Sequence, residues 1–202
     1  MVFLPQSFFG FPLYIGVELS LGIAIFNKFC GFYGILALFT GHPLRITQWF
    51  FYVWSCVVLL VYLKGISQIY KPTLPTTCLV LMSYSADTIL SCIFTIYFTN
   101  YWFSKEGSAA VADVETANQP SSASQSYEYN GTLVFTLFTL AARFYSNFLI
   151  AAFVQRMMKQ DRFIPDDNDI DLNLKSKPVL HRAYLKLQRS CYHFCRYYLL
   201  PA

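Results

Sequence analysis

Charged residues are scarce in this sequence: 13% of 202, against 55% hydrophobic. Soluble domains carry about a quarter charged residues, and half that fraction leaves too few to cover a water-facing surface. Histidine is nearly absent, with three in the chain and no two spaced as metal ligands, so neither a metal centre nor any other cofactor is expected. The six cysteines do not suggest a disulfide framework. Cys30, Cys56, Cys78 and Cys92 lie in apolar runs, where cysteine behaves as a small hydrophobe, and the longest polar loop has none. No basic residue precedes the first apolar stretch and no small-residue cleavage site follows it, so no removable signal peptide is expected. Nothing points to nucleic acid, since the net charge is only +4.

What the chain does have is long apolar runs rich in rings, with 20 Phe and 15 Tyr. A helix needs about 20 apolar residues to cross some 30 Å of hydrocarbon. Four stretches qualify: 8–26, 46–63, 76–98 and 131–155. Hence an all-α, polytopic membrane protein is expected, with a transmembrane domain over 1–160 and a tail over 161–202. The uncharged segment Phe29–Gly41 would make only about 20 Å of helix. It is read as re-entrant or interfacial, with a short fifth span as the alternative, and the interval 29–44 stays open.

Basic residues near span ends mark the cytosolic side. The loop 64–75 carries Lys64 and Lys71 and no acid, and Arg156, Lys159 and Arg162 follow the last span. The loop 104–130 sets Glu106, Asp113, Glu115 and Glu128 against Lys105 alone. That loop is expected in the lumen, with both termini cytosolic. Its small polar composition argues against packing. It holds the sequon Asn130-Gly-Thr132, a candidate glycosylation site close to the bilayer.

The tail opens on Asp166-Asp-Asn-Asp-Ile-Asp171, which lacks the glycine and terminal glutamate of a calcium loop and reads as a solvated linker. A basic amphipathic helix follows over 179–198. Arg182, Lys186, Arg189, His193 and Arg196 form one stripe; Leu180, Ala183, Tyr184, Leu187, Cys191, Phe194 and Tyr198 face the other way. Such a helix lies in the membrane interface and favours anionic lipid. Docking on a soluble partner domain is the competing reading. Cys191 and Cys195, toward its apolar side, are candidate acylation sites.

Glu18, Asp87 and Arg143 are ionisable groups inside spans. Each costs roughly 2.5–3.5 kcal/mol at the bilayer centre, so each must face protein or water. Asp87 and Arg143, at matching depth in consecutive spans, are expected to pair. Glu18 is left to be protonated, to join Arg143, or to meet another chain. These residues hold helices or subunits together, or else line a substrate or proton path. No catalytic residue is identified. A phosphatase-type transferase needs a histidine with a carboxylate to orient it. His42 is the one histidine in the membrane domain, no acid is near it in sequence, and Gly41-His42-Pro43 reads as a turn. No internal repeat suggests a transporter. A four-span scaffold or sorting protein is the alternative, although the large loop lacks a Cys-Cys-Gly signature.

Several strings resemble a known family. They are Ser7-Phe-Phe-Gly-Phe-Pro-Leu-Tyr14 with Val17-Glu18, Gly34-Ile-Leu-Ala-Leu-Phe-Thr-Gly-His-Pro-Leu44, and Gln48-Trp49. Asp87-Thr88, Ser126-Tyr-Glu-Tyr129, Arg143-Phe-Tyr145, Asn147-Phe148, Asn173-Leu-Lys175 and Lys177-Pro178 continue the likeness. Together they resemble the regulatory subunit of the fungal inositol phosphorylceramide synthase. The resemblance implies a two-subunit Golgi enzyme in sphingolipid synthesis. Its larger, catalytic subunit would transfer phosphoinositol from phosphatidylinositol to ceramide and release diacylglycerol. The smaller chain would be non-catalytic, yet required for activity and Golgi residence. Some members have the lumenal loop cut by a protease that needs basic pairs; this loop has no such pair, so processing is not expected here.

Overall fold

The computed structural model describes residues 4–33, 46–114, 122–160, 163 and 178–199. Five helices account for most of them: α1 Leu13–Tyr33, α2 Ile46–Ser67, α3 Leu74–Val114, α4 Ser122–Met158 and α5 Val179–Leu199. Four are long and apolar enough to cross a membrane, over Leu13–Gly31, Gln48–Ser67, Leu74–Tyr97 and Leu133–Met158. The chain is thus a multi-pass α-helical membrane protein, with no named strand among the described residues.

Several boundaries differ from the sequence reading. The first helix opens at Leu13, not at 8, because Phe8 and Phe11 exchange backbone hydrogen bonds of 3.0 and 2.7 Å around a tight turn. Phe9 and Gly10 there take φ of 46° and 88°, outside helical space. Pro12, which has no N–H to donate, then leads into the helix. At its other end α1 runs through buried Lys28 to Tyr33, absorbing the start of the 29–44 segment; 34–45 lies outside the described residues. The second helix continues past Lys64 to Ser67, whose hydroxyl bonds the Lys64 carbonyl at 2.9 Å. In front of α3, Thr73 Oγ1 reaches Thr76 Oγ1 at 2.8 Å, and Pro75 occupies the first turn, where a missing N–H costs nothing.

The loop 104–130 is the largest departure. Helix α3 extends through it to Val114, and α4 begins at Ser122. Alanine, glutamate, lysine and glutamine are strong helix formers. The polarity of that stretch argues against burial, and burial is not needed for helix. Residues 115–121 lie outside the described set.

Two compact units divide the chain. One comprises Met1–Ser85 with Ser146–Ala202, the other Ala86–Tyr145. In the first, α1, α2, the start of α3 and the end of α4 each contribute a stripe at i, i+4 spacing, the helical repeat that keeps side chains on one face. Val17 and Leu21 meet Val58 and Tyr62, Val80 and Tyr84, and Ile150 and Val154, all buried. Small residues set the approach. A Cβ on Gly16 would stand 2.5 Å from Leu149 Cδ2, and one on Gly65 would stand 2.6 Å from Val80 Cγ2. Without a water-driven hydrophobic effect between spans, this close packing and interhelical hydrogen bonds are what hold them.

Candidate functional site

In the second unit the guanidinium of Arg143 on α4 meets α3. Its Nη1 donates to Asp87 Oδ2 at 3.1 Å and to Ser91 Oγ at 3.1 Å. Asp87 and Ser91 are one helical turn apart on a single face, so one nitrogen bridges both. The Asp87 side chain is 5% exposed and that of Arg143 25%. A carboxylate this buried requires a partner, and the arginine supplies it with a charge-assisted bond. The sequence located the charges; it gave no sign of Ser91 as the second acceptor.

Glu18 is placed differently from the expectation. With α1 opening at Leu13, it falls in the second turn, near the helix end, not at mid-span. Both carboxylate oxygens accept from the Tyr70 hydroxyl, at 3.3 and 3.4 Å. Within this chain its partner is therefore a phenol in the turn between α2 and α3. The nearby Glu18 charge pushes the Tyr70 pKa up from the ordinary 10.0, since a negative neighbour disfavours phenolate.

Polar groups that the sequence reading passed over tie the first unit together. Ser20 of α1 donates to Ser146 of α4 at 3.2 Å, and Ser85 of α3 donates to Asn147 at 2.9 Å. The available signal was their position: uncharged hydrogen-bonding side chains inside apolar spans.

Helix α5 docks on the first unit through three span ends. Lys64, in the last turn of α2, places Nζ 4.8 Å from the Tyr184 ring centroid. The buried Gln188 donates from Nε2 to Thr76 Oγ1 of α3 at 3.0 Å and to Tyr184 Oη at 2.9 Å. Near the end of α4, Gln155 Nε2 donates to the Leu199 carbonyl at 3.0 Å. Between these contacts Cys191, Tyr192 and Cys195 are buried in the apolar core.

This alters the expected faces of the tail helix. The inward side consists of Tyr184, Gln188, Cys191, Tyr192 and Cys195. Leu187, Phe194 and Tyr198, assigned to that side by pattern, are exposed. Acylation at Cys191 or Cys195 would first require α5 to leave its seat. Burial also raises the Cys191 thiol above its ordinary 9.0, which lowers its reactive thiolate fraction. Arg182, Lys186 and Arg196 point away from the core, as does the half-buried Arg189. The sequon Asn130 falls within α4. His42 lies outside the described residues. Among the described residues, no group of three or more His, Cys, Asp or Glu could hold a metal ion.

A family model described as inositolphosphorylceramide synthase subunit Kei1 matches residues 7–116. The chain is 43% identical over 211 residues to the inositol phosphorylceramide synthase regulatory subunit KEI1 of Saccharomyces cerevisiae, covering 96% of this chain and 95% of that one. It is 26% identical over 198 residues to the regulatory subunit kei1 of Schizosaccharomyces pombe, with 95% and 84% covered. No solved structure matches it.

Proposed function

Because the chain belongs to the Kei1 family of inositolphosphorylceramide synthase subunits, we propose that it is the regulatory, non-catalytic subunit of that synthase and works assembled with the catalytic subunit. The single observation that carries this is identity along nearly the whole chain to a protein named for that role. The residues agree with it. Phosphoinositol transfer by a histidine nucleophile needs a histidine and a carboxylate in reach of each other. Here two of three histidines belong to α5, and His42 has no acid near it in sequence. The intramembrane charges have structural work instead: Arg143 neutralises Asp87, and Glu18 fastens the α2–α3 turn to α1.

The finer reading is a Golgi membrane location with both termini on the cytosolic side. Supporting the orientation are Lys64, Lys71, Arg156 and Lys159, grouped at the span ends that α5 covers, and the acidic excess of 104–130. Activity and Golgi residence of the catalytic chain would both depend on this subunit, through its folding, its position or its active conformation.

Reconstitution tests the assignment. In vesicles holding phosphatidylinositol and ceramide, this chain alone makes no inositol phosphorylceramide. The catalytic chain alone is weak, and adding this one restores turnover. Replacing His42 with Ala leaves turnover of the complex within a few-fold, whereas loss of a general base or nucleophile costs about 100-fold or more. Product made by this chain alone, and abolished by His42→Ala with assembly intact, would overturn the reading.

A further inference from the structure

Three cysteines come together where α5 meets the start of α3. Cys78, in the second turn of α3, is fully buried, and Cys191 and Cys195, one turn apart on α5, are 8% and 2% exposed. The Cys78 thiol donates a hydrogen bond to Cys195 Sγ, and all three are free thiols. A second contact repeats the juxtaposition. Gln188, two turns before Cys195, bonds Thr76, two residues before Cys78. Points about 10 Å apart along α5 thus fall within about 3 Å along α3, so α5 crosses the opening of α3 steeply and the thiols meet at that crossing.

Geometry selects which thiols can bond. A disulfide needs Cβ atoms about 3.5–4.5 Å apart. Cys191 and Cys195, at i and i+4 of one helix, hold theirs about 5–6 Å apart, and closing that gap would unwind α5. Cys78 and Cys195 stand on different helices, and the length of one sulfur hydrogen bond is all that separates their sulfurs.

We propose that Cys78 and Cys195 form a redox-sensitive pair, joined by a peroxide into a disulfide that clamps α5 to α3. On the cytosolic side proposed for the tail the pair rests as thiols, so the bond is a response to oxidant. Hydrogen peroxide, uncharged and little larger than water, suits a buried pair. The bond from Cys78 holds the Cys195 thiol below its ordinary 9.0, which makes Cys195 the attacking sulfur. Its thiolate attacks a peroxide oxygen: the S–O bond forms, the O–O bond breaks, and hydroxide leaves with the thiol proton as water. Cys78 then attacks the sulfenic sulfur. The S–S bond forms, the S–O bond breaks, and the second hydroxide leaves with the Cys78 proton as water. The two thiols lose two electrons, and one peroxide becomes two waters. Reduction by a thiol reverses the clamp. The chemistry is independent of which enzyme the chain serves.

The full chain, folded in a nonionic detergent, is exposed to hydrogen peroxide; catalase ends the reaction, remaining thiols are alkylated in denaturant, and the digest is read by mass spectrometry. The peptides of Cys78 and Cys195 are found joined, with Cys191 alkylated. A chain denatured before the peroxide shows no such selectivity. In a second measurement, oxidation slows maleimide labelling of Cys191 in the folded chain by about tenfold or more, because a cross-link disfavours the opened state, and dithiothreitol restores the rate. Cys78→Ser and Cys195→Ser abolish the slowing, and Cys191→Ser keeps the link. The first readout needs no variant, so it holds even where a substitution costs folding. A link through Cys191, the same link pattern in folded and denatured chains, or Cys195 sulfinic acid accumulating beside an alkylated Cys78 would overturn the proposal. So would Cys191 labelling that oxidation leaves unchanged.

Discussion

Arg143 Nη1 stands 3.1 Å from Asp87 Oδ2 and 3.1 Å from Ser91 Oγ, so one guanidinium nitrogen joins α4 to two successive turns of α3. Removing either charge leaves the other without its opposite in a poorly hydrated place, at a cost of about 3–5 kcal/mol when burial is complete. Because the arginine side chain is 25% exposed, the lower end of that range applies. Asp87→Asn and Arg143→Gln should each reduce the amount of folded subunit. The double variant should fare better than the two losses summed. Abundance and thermal stability in detergent, measured around the cycle, test this; strict additivity would show that the pair carries no coupling.

Two glycines on α1 separate packing from propensity. Alanine is favoured over glycine in a helix by up to about 1 kcal/mol. At Gly22 a Cβ meets nothing within 4 Å, whereas at Gly16 it stands 2.5 Å from Leu149 and 2.7 Å from the Phe8 ring. Gly22→Ala should therefore be neutral or stabilising. Gly16→Ala should be lower than it by about 1–3 kcal/mol, the usual cost of overpacking, read as a melting-temperature difference. Equal melting temperatures would mean that α1 and α4 can separate without loss.

Cysteine labelling reports on the tail helix. Cys191 and Cys195 are buried, and burial raises the Cys191 thiol above 9.0. Maleimide should modify both slowly in the folded chain. Gln188→Ala removes the bonds to Thr76 and Tyr184, a loss of about 1–3 kcal/mol, and should speed labelling about tenfold. The two thiols respond to pH with opposite sign. Burial raises Cys191, so its contribution to docking is complete below the undocked value, near 9.0, and is lost as pH rises through the docked one, whereas the hydrogen bond with Cys78 lowers Cys195. With Cys195 changed to Ser, labelling of Cys191 should steepen above pH 9 by more than thiolate formation alone explains.

Orientation is tested with glycosylation acceptors. One placed near Ser121 should be modified, while acceptors near Lys71 or Asp169 should stay unmodified. Modification at Asp169 would reverse the assignment of sides.

The spans and their charges were legible because hydrocarbon selects composition directly: length and apolarity suffice. Which face of each span is packed was not, since Val17 and Ile23 look alike in a uniformly apolar helix, and only Val17 is buried. The start of α1 was hidden by the Phe8–Phe11 turn, whose residues are as apolar as the helix they precede. Glu18 was readable as a problem, yet its answer, Tyr70, depended on where that helix begins. In the tail the 3.6-residue pattern was correct, and its division into two faces was not. Packing against span ends selected Gln188 and left out Leu187, because a buried glutamine with two partners fits a polar rim that a leucine does not. The polar sequence flanking 115–121 misled for the opposite reason, since helix there needs no burial.

The separations in these pairs bear on how the chain is made. Asp87 precedes Arg143 by 56 residues, and Glu18 precedes Tyr70 by 52. At some 5–20 residues per second, each acid waits about 3–11 seconds for its partner to be synthesised. Throughout that interval α3 holds a carboxylate that hydrocarbon disfavours by roughly 2.5–3.5 kcal/mol. Insertion of this protein is thus ordered in time: α3 must be sheltered, by the insertion machinery or another membrane chain, until α4 arrives. Slowed translation between Asp87 and Arg143 lengthens the exposure, and premature termination before Arg143 leaves a fragment whose acid lacks its arginine.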